Sequence, residues 1–504
     1  MKHHRTHRLG VSAALAVAVL LPAAPPPVPP PTLPPAGSDP TVAEAAATAL
    51  ARAARPYAVV DDSAGAEPCM GGPAPAPVAY RTDRIVLRGE VTEVEAAAMV
   101  AAALLAEGSG VPVIDTEVIE LPPAADGKKI TSVTVVHLGP AAEEPPPIVA
   151  VARHLWERGI PSAPDYLLSP TSGPTAMWPG GEPEPTKDRP VARATGIGAG
   201  IEIMLYDAGL TEPTQSVHPP NVVRLTPADV EHPDEQAPIG VVDRYFVGHT
   251  VSIADTINTL APGAVVTVAR ITGADGVPTD VTAARRMART LRDAHAAADL
   301  PPLIVSPFGS EACDVDSADP AADMVPLGLQ AVAEAVDRSG EAVLVVSAGN
   351  RGVSRPFYPA AFEFPAVIAV GALDTTGDDG DAWTAPSRTG LVADFSNRGY
   401  WVDAWMSGVG LATRHVTGLS FQPGGPVLDG WAEVRGTSYS APALAALLAD
   451  EMAANKVSAR KAWDNVAASG TPCSDTVGGG VAVALVSLDS TATTPADPAE
   501  PPEC

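Results

Sequence analysis

The sequence predicts an α/β protein: a doubly wound parallel sheet, preceded by a smaller α+β domain of ferredoxin-like order. Three observations carry this expectation. From Arg193 onward, short apolar runs alternate with helical patterns, as in a parallel sheet covered by helices. Between Asp83 and Leu168 the periodicity switches in the order β-α-β-β-α-β. Finally, Gly436-Thr437-Ser438-Tyr439-Ser440-Ala441-Pro442 forms a turn running straight into an apolar helix, Ala443 to Met452.

In the first domain, Arg84–Leu87 reads as a strand and Val94–Ala106 as a helix. Val111–Leu121 and Ile130–Leu138 are strand-like, Pro147–Arg158 is helical, and Asp165–Leu168 is a last strand. Ser169–Pro190 is rich in Pro, Gly and Thr, which marks a linker open to proteolysis. Strands of the large domain are expected at Ile201–Tyr206, Val265–Arg270, Leu303–Ser306, Ala342–Ser347 and Val367–Val370. Ala283–Ala298 and Leu327–Ser339 are helical connectors between them. The boundaries are therefore 1–24, 25–80, 81–170, 171–192 (linker), 193–489 and 490–504.

The two ends have a different composition. Residues 1–24 read as an export signal: Lys2, Arg5 and Arg8 precede the apolar run Leu9–Leu21, and Pro22-Ala23-Ala24 offers small residues for cleavage. Pro25 would follow that bond and opposes cutting there, so an uncut segment would act as an anchor. Pro22–Pro40 is a stiff, extended stretch, with an Ala-rich helix expected at Val42–Ala54, and the tail Ser490–Cys504 is Pro- and acid-rich. The chain of 504 residues carries 32 Lys and Arg against 59 Asp and Glu, a net charge of −27. That argues against nucleic acid or an anionic membrane as partner and suits a secreted, soluble protein. Cys69, Cys313, Cys473 and Cys504 allow three pairings into two disulfides, and none has zinc-ligand spacing.

A serine hydroxyl is a weak nucleophile at neutral pH and needs a base, which in turn needs a carboxylate to fix its tautomer. Three segments supply these groups. Asp207 ends the strand Ile201–Tyr206, His249 opens a helix Thr250–Leu260, and Ser438 opens its own helix, with Pro442 in the first turn. Ser438 thus sits at the positive end of a helix dipole, beside unpaired N–H groups that favour an oxyanion. Asn350 turns off the carboxyl end of the strand Ala342–Ser347, where its amide can donate to the same oxyanion.

These blocks lie in the order Asp…His…Ser, with Ser-Ala-Gly-Asn at 347–350, Tyr-Pro-Ala at 358–360, Val-Gly-Ala at 370–372 and Phe-Ser-Asn-Arg-Gly at 395–399 between them. Together with GTSYSAP they resemble the subtilisin-like serine proteases (subtilases) over about Arg193 to Leu488. The resemblance implies a subtilisin-like fold and an exported serine endopeptidase. It implies Asp207 as orienting carboxylate, His249 as general base and acid, Ser438 as nucleophile and Asn350 as oxyanion donor. It also implies that Leu303–Gly309 pairs with an extended polypeptide substrate, with Pro307, Phe308 and Gly309 bordering the primary specificity pocket. The domain before it then resembles a subtilase propeptide, an intramolecular inhibitor.

Two departures stand out. Ala208 replaces the usual threonine after the aspartate, and His249-Thr250-Val251-Ser252 replaces the usual His-Gly-Thr. The second motivates an alternative, a subtilase-like binding or scaffold protein with impaired catalysis. An α/β-hydrolase would need a Gly-x-Ser-x-Gly elbow, and a sedolisin-like acid peptidase would need carboxylates at positions 249 and 350. No cofactor is required. Calcium is common in the family, and Asp314, Asp316, Asp319 and Asp323, or Asp374, Asp378, Asp379 and Asp381, could coordinate a hard cation; both sets lack EF-hand spacing and read as solvated acidic loops, so calcium is possible but not indicated.

Overall fold

Two apolar faces on one set of strands organise the large domain. In the computed structural model, Ile203, Leu205, Val266, Val268, Leu303, Val305, Val343 and Val345 point to one buried core, while Met204, Tyr206, Ile304, Leu344 and Val346 point to another. Alternation with apolar residues on both sides requires helices on both sides, the condition for a parallel sheet. The structure describes residues 57–60, 78–140, 145–168, 183–190, 192–210, 221–224, 241–272, 278–312, 324–374, 391–420, 425–473 and 481–482. The expected export signal, the helix at 42–54, the C-terminal tail, Cys69, Cys313, Cys504 and most residues of both acidic loops lie outside them.

The N-terminal domain comprises β1 (Tyr57–Val60), β2 (Val78–Arg88), α1 (Glu93–Ala106), β3 (Val113–Ile119), β4 (Val133–Leu138), α2 (Ile148–Trp156) and β5 (Ser162–Tyr166). β5, β2, β4 and β3 lie side by side in an antiparallel sheet, the spatial order of a ferredoxin-like fold, and β1 extends it by pairing with the start of β2. α1 begins with a capping box between Thr92 and Glu95. The last strand runs from Ser162 rather than Asp165, through Pro164. Proline is tolerated there because β5 pairs only with β2 and is an edge strand.

After β6 (Glu184–Pro185) the large domain contains β7 (Glu202–Asp207), β8 (Val222–Arg224), α3 (Val241–Leu260), β9 (Val265–Arg270), α4 (Asp280–Ala297), β10 (Leu303–Ser306), α5 (Leu327–Ser339) and β11 (Val343–Ser347). There follow β12 (Val367–Asp374), β13 (Leu391–Val392), β14 (Ala404–Ser407), β15 (Leu411–Ser420), β16 (Val427–Val434), α6 (Thr437–Asn455), α7 (Ala459–Ser469), β17 (Thr471–Pro472) and β18 (Val481–Ala482). The sheet order is β8-β9-β7-β10-β11-β12-β14-β18, parallel throughout, with β13 and β17 antiparallel to β12 and β18. The strand order reverses between β7 and β10, which creates a crevice at their carboxyl ends. β15 and β16 form a separate hairpin, which β6 joins as a third strand.

The N-terminal sheet is docked on α4 and α5. Arg285 of α4 holds Glu117 of β3 through two bonds of 2.6 and 2.7 Å, and Arg88 of β2 donates to Gln330 (2.6 Å) and to Glu334 of α5. Asp165 of β5 is fully buried and accepts the Val281 N–H at the start of α4 (2.9 Å), while pairing with Arg84. Tyr166 donates its hydroxyl to the Met324 carbonyl (2.6 Å), and the Leu168 N–H reaches the Pro278 carbonyl (2.8 Å). The N-terminal domain therefore adds an acceptor to the first turn of a helix whose N-cap is Thr279.

Candidate active site

Asp207 is the last residue of β7 and points into the crevice beside the reversal. Its Oδ1 accepts the Ala208 N–H, and its Oδ2 lies 3.0 Å from His249 Nδ1. Both side chains are buried, Asp207 at 0% and His249 at 2% exposure. A buried carboxylate on Nδ1 fixes the imidazole so that Nε2 is the atom turned to chemistry. His249 lies inside α3, which starts at Val241, instead of opening a helix at Thr250. The residues before His249 continue the helix, so His249 is held from both sides along the backbone.

Ser438 is the second residue of α6, 2% exposed, and its Oγ approaches the Pro307 carbonyl at 3.5 Å. Gly436 precedes the helix at φ 143°, a backbone conformation that side chains rarely adopt. Pro442 is not in the first turn, as the sequence suggests, but inside the helix, because α6 begins at Thr437. It has no N–H to give to the Ser438 carbonyl one turn back. His249 packs against the neighbours of Pro307 and Ser438: Phe308 stacks edge-on to His249 (5.6 Å between ring centres), and so does Tyr439 (5.9 Å). Asp207, His249 and Ser438 thus converge at one crevice.

Asn350 follows β11 across the crevice. Its Oδ1 accepts both the Thr437 N–H (2.8 Å) and the Thr437 hydroxyl (2.7 Å). Two donors on the oxygen fix the amide orientation and leave the NH₂ as the group beside Gly436. Thr437 is a positioning residue that sequence reasoning missed; its place directly before the serine was the available signal. The Asn350 turn is braced in turn by Asn397, whose Oδ1 accepts the Arg351 N–H (2.9 Å) and whose own N–H reaches the Gly349 carbonyl (2.9 Å). Pro307 lies just after β10 near Ser438, the Phe308 ring lies against His249, and Gly309 lies against Phe357 and the Tyr358 carbonyl.

The unusual segment after His249 joins its helix to β15. Ser252 donates to the Arg414 carbonyl (2.9 Å), and Asp255 accepts from the Arg414 N–H (2.8 Å) and Nε (3.1 Å). Burial raises the Asp255 carboxyl to about 6 despite the arginine. These bonds clamp α3 to β15, and the Arg414 guanidinium lies over Trp431 of β16. The hairpin that leads to Ser438 is thereby tied to the helix carrying His249, and the departures leave the Asp207–His249 contact intact.

His415 was the second unforeseen neighbour. It is fully buried on β15, and burial together with the nearby His249 lowers its pKa to about 3, so it stays neutral. Its ring covers Gly248 so closely that a Cβ there would lie 2.1 Å from Cε1. Gly248→Ala is therefore expected to displace the His249 backbone and lower kcat/KM by about 10²-fold, the typical cost of misplacing a catalytic group by an ångström. Steady-state kinetics beside a thermal melt checks this. Among the described residues no cluster of three or more His, Cys, Asp or Glu side chains is placed to hold a metal ion.

A carboxylate, a histidine and a serine thus lie together at the switch point of a parallel sheet, with an amide opposite. Residues 246–468 match the sequence model of the subtilase family, Peptidase_S8. Thermophilic serine proteinase of Bacillus sp. (strain AK1) is 37% identical over 95 residues, which cover 16% of this chain and 20% of that protein. The chain thus spans about a fifth of the length of this relative. Among solved structures it is similar to fervidolysin from Fervidobacterium pennivorans, a keratinolytic enzyme related to subtilisin (18% identity, TM-score 0.45, 77% of this chain and 57% of that one). A cold adapted subtilisin-like serine proteinase (18%, TM-score 0.40, covering 60% and 96%) and a lanthipeptide protease (18%, 0.40, covering 56% and 85%) are also similar.

Proposed function

We propose that this protein is an exported serine endopeptidase, made as a precursor that its own N-terminal domain inhibits. The observation that carries the reading is the 3.0 Å contact of Asp207 with His249 in the same crevice as Ser438, at the positive end of α6. In the reaction, Ser438 Oγ attacks the peptide carbonyl carbon as His249 Nε2 takes its proton. The tetrahedral oxyanion accepts hydrogen bonds from the Asn350 NH₂ and the Ser438 N–H. His249 then protonates the leaving amine, giving an acyl-enzyme. Water attacks the ester carbonyl while His249 again serves as base, and Ser438 recovers its proton. Asp207 stabilises the imidazolium in both halves.

Substrate polypeptide pairs with the segment Leu303–Gly309 as an added strand. Residues 1–24 direct export, and release of the N-terminal domain by cleavage in the linker frees the enzyme. Two disulfides among the four cysteines stabilise the exported chain. Asn350→Ala tests the oxyanion site: kcat is expected to fall by about 10²–10³-fold with KM little changed, the effect known for the corresponding asparagine of subtilisin. An unchanged kcat would remove the amide from the mechanism.

A further inference from the structure

We infer that His415 is a positioning residue for His249: its imidazole fills a notch that Gly248 leaves in α3, and this seat sets where the base stands in the crevice. The inference rests on the peptidase reading and adds a residue to its machinery. Gly248, Ser252 and Asp255 are spaced i, i+4 and i+7, so they share one face of α3. β15 lies along that face. The Arg414 carbonyl accepts the Ser252 hydroxyl (2.9 Å), and the Arg414 N–H donates to Asp255 (2.8 Å). The next residue of the strand, His415, meets the first position of the same face.

A Cβ on Gly248 would stand 2.1 Å from His415 Cε1, 2.7 Å from Nε2 and 2.8 Å from Nδ1, so the edge of the ring occupies the volume that any side chain there would need. The ring is wholly buried, and close-packed interiors transmit a displacement instead of absorbing it. Two properties suit an imidazole to this seat. It is flat, so it can lie against backbone that carries no Cβ. Its Nδ1 accepts the Val416 N–H (2.9 Å), which holds the ring in one orientation and leaves its proton on Nε2. A proton on Nδ1 would break that bond, so His415 does not compete with His249 for the proton of the serine. The contact with Asp207 fixes how the His249 ring is turned, and the notch beside it fixes the backbone that carries the ring. A shift of α3 against β15 would move Nε2 relative to Ser438.

The test is a double-mutant cycle on Gly248→Ala and His415→Ala, using the full chain after its N-terminal domain has been cut away by limited proteolysis. Active sites are counted with a fluorophosphonate probe, and a thermal melt is run on every sample. Gly248→Ala is expected to lower kcat about 10²-fold with KM little changed. His415→Ala is harmful alone, but the double variant should regain at least about tenfold in kcat over Gly248→Ala, because the ring that the new methyl strikes is gone. His415→Val, better suited to a strand, repeats the cycle if the alanine variant does not fold. Losses in kcat that simply add overturn the positioning role, as does a Gly248→Ala protein with native kcat. Rescue in the melts without rescue in kcat reduces the pair to packing and overturns the role as well. Absence of labelling in the native protein overturns the peptidase reading, and the positioning role with it.

Discussion

Replacing Ser438 by alanine lowers the rate of peptide hydrolysis by about 10⁶-fold, the loss a serine knockout causes in subtilisin. The size of the effect follows from the division of labour in the crevice. The hydroxyl of Ser438 forms the covalent bond, and neither Asn350 nor the dipole of α6 can act without it. Asp207→Asn is the more diagnostic companion. Asp207 Oδ2 faces His249 Nδ1 at 3.0 Å, so an asparagine NH₂ there would favour the wrong imidazole tautomer. The expected loss in kcat is about 10⁴-fold, with KM and the melting temperature nearly unchanged. Stopped assays with a chromogenic peptide at pH 8 measure both. A loss below tenfold for Asp207→Asn would mean that His249 is not the base.

The second large effect concerns the docked N-terminal domain. Asp165→Ala is expected to destabilise the folded precursor by about 3 kcal/mol, because it leaves the buried Arg84 with Asp83 as its one remaining carboxylate in the ion pairs described and takes the acceptor from the Val281 N–H in the first turn of α4. The expected readout is faster release of the domain on limited proteolysis and an earlier onset of hydrolysis, with the maximal rate unchanged. Acid should have a similar, graded effect through Glu117. Burial alone would raise this carboxyl, but hydrogen bonds and charge from His137 and Arg285 hold it down to about 2. Its depressed folded value means that its stabilising contribution is fully present above its ordinary value and is lost as pH falls toward 2. Fluorescence melts of the native protein and Glu117→Gln should therefore differ most above about pH 5 and converge in strong acid.

Much of this arrangement was legible in the chain. β9, β10 and α5 occur at the expected residues, Val265–Arg270, Leu303–Ser306 and Leu327–Ser339, because prolines or glycines bound each apolar run. The β-α-β-β-α-β order of the first domain was equally plain from its change of period. Asp207, His249, Asn350 and Ser438 could be named because short local motifs surround each of them in one order along the chain, although His249 proves to lie inside α3 and not at its start. What remained hidden depends on contacts between distant segments. Nothing in a lone His415 says that its ring covers Gly248. The hairpin β15–β16 was also missed: its strands, Leu411–Ser420 and Val427–Val434, mix polar with apolar residues and contain register shifts. The helix boundaries at His249 and Pro442 moved because packing extended both helices past their local signals.

The central claim is that Ser438 is the nucleophile of a working triad. Its most direct test is a fluorophosphonate probe applied to protein freed of its N-terminal domain, followed by peptide mapping of the adduct. The account predicts one adduct, on Ser438, absent from Ser438→Ala and strongly slowed in Asp207→Asn. No adduct on the native protein, or an adduct on another serine, would contradict it.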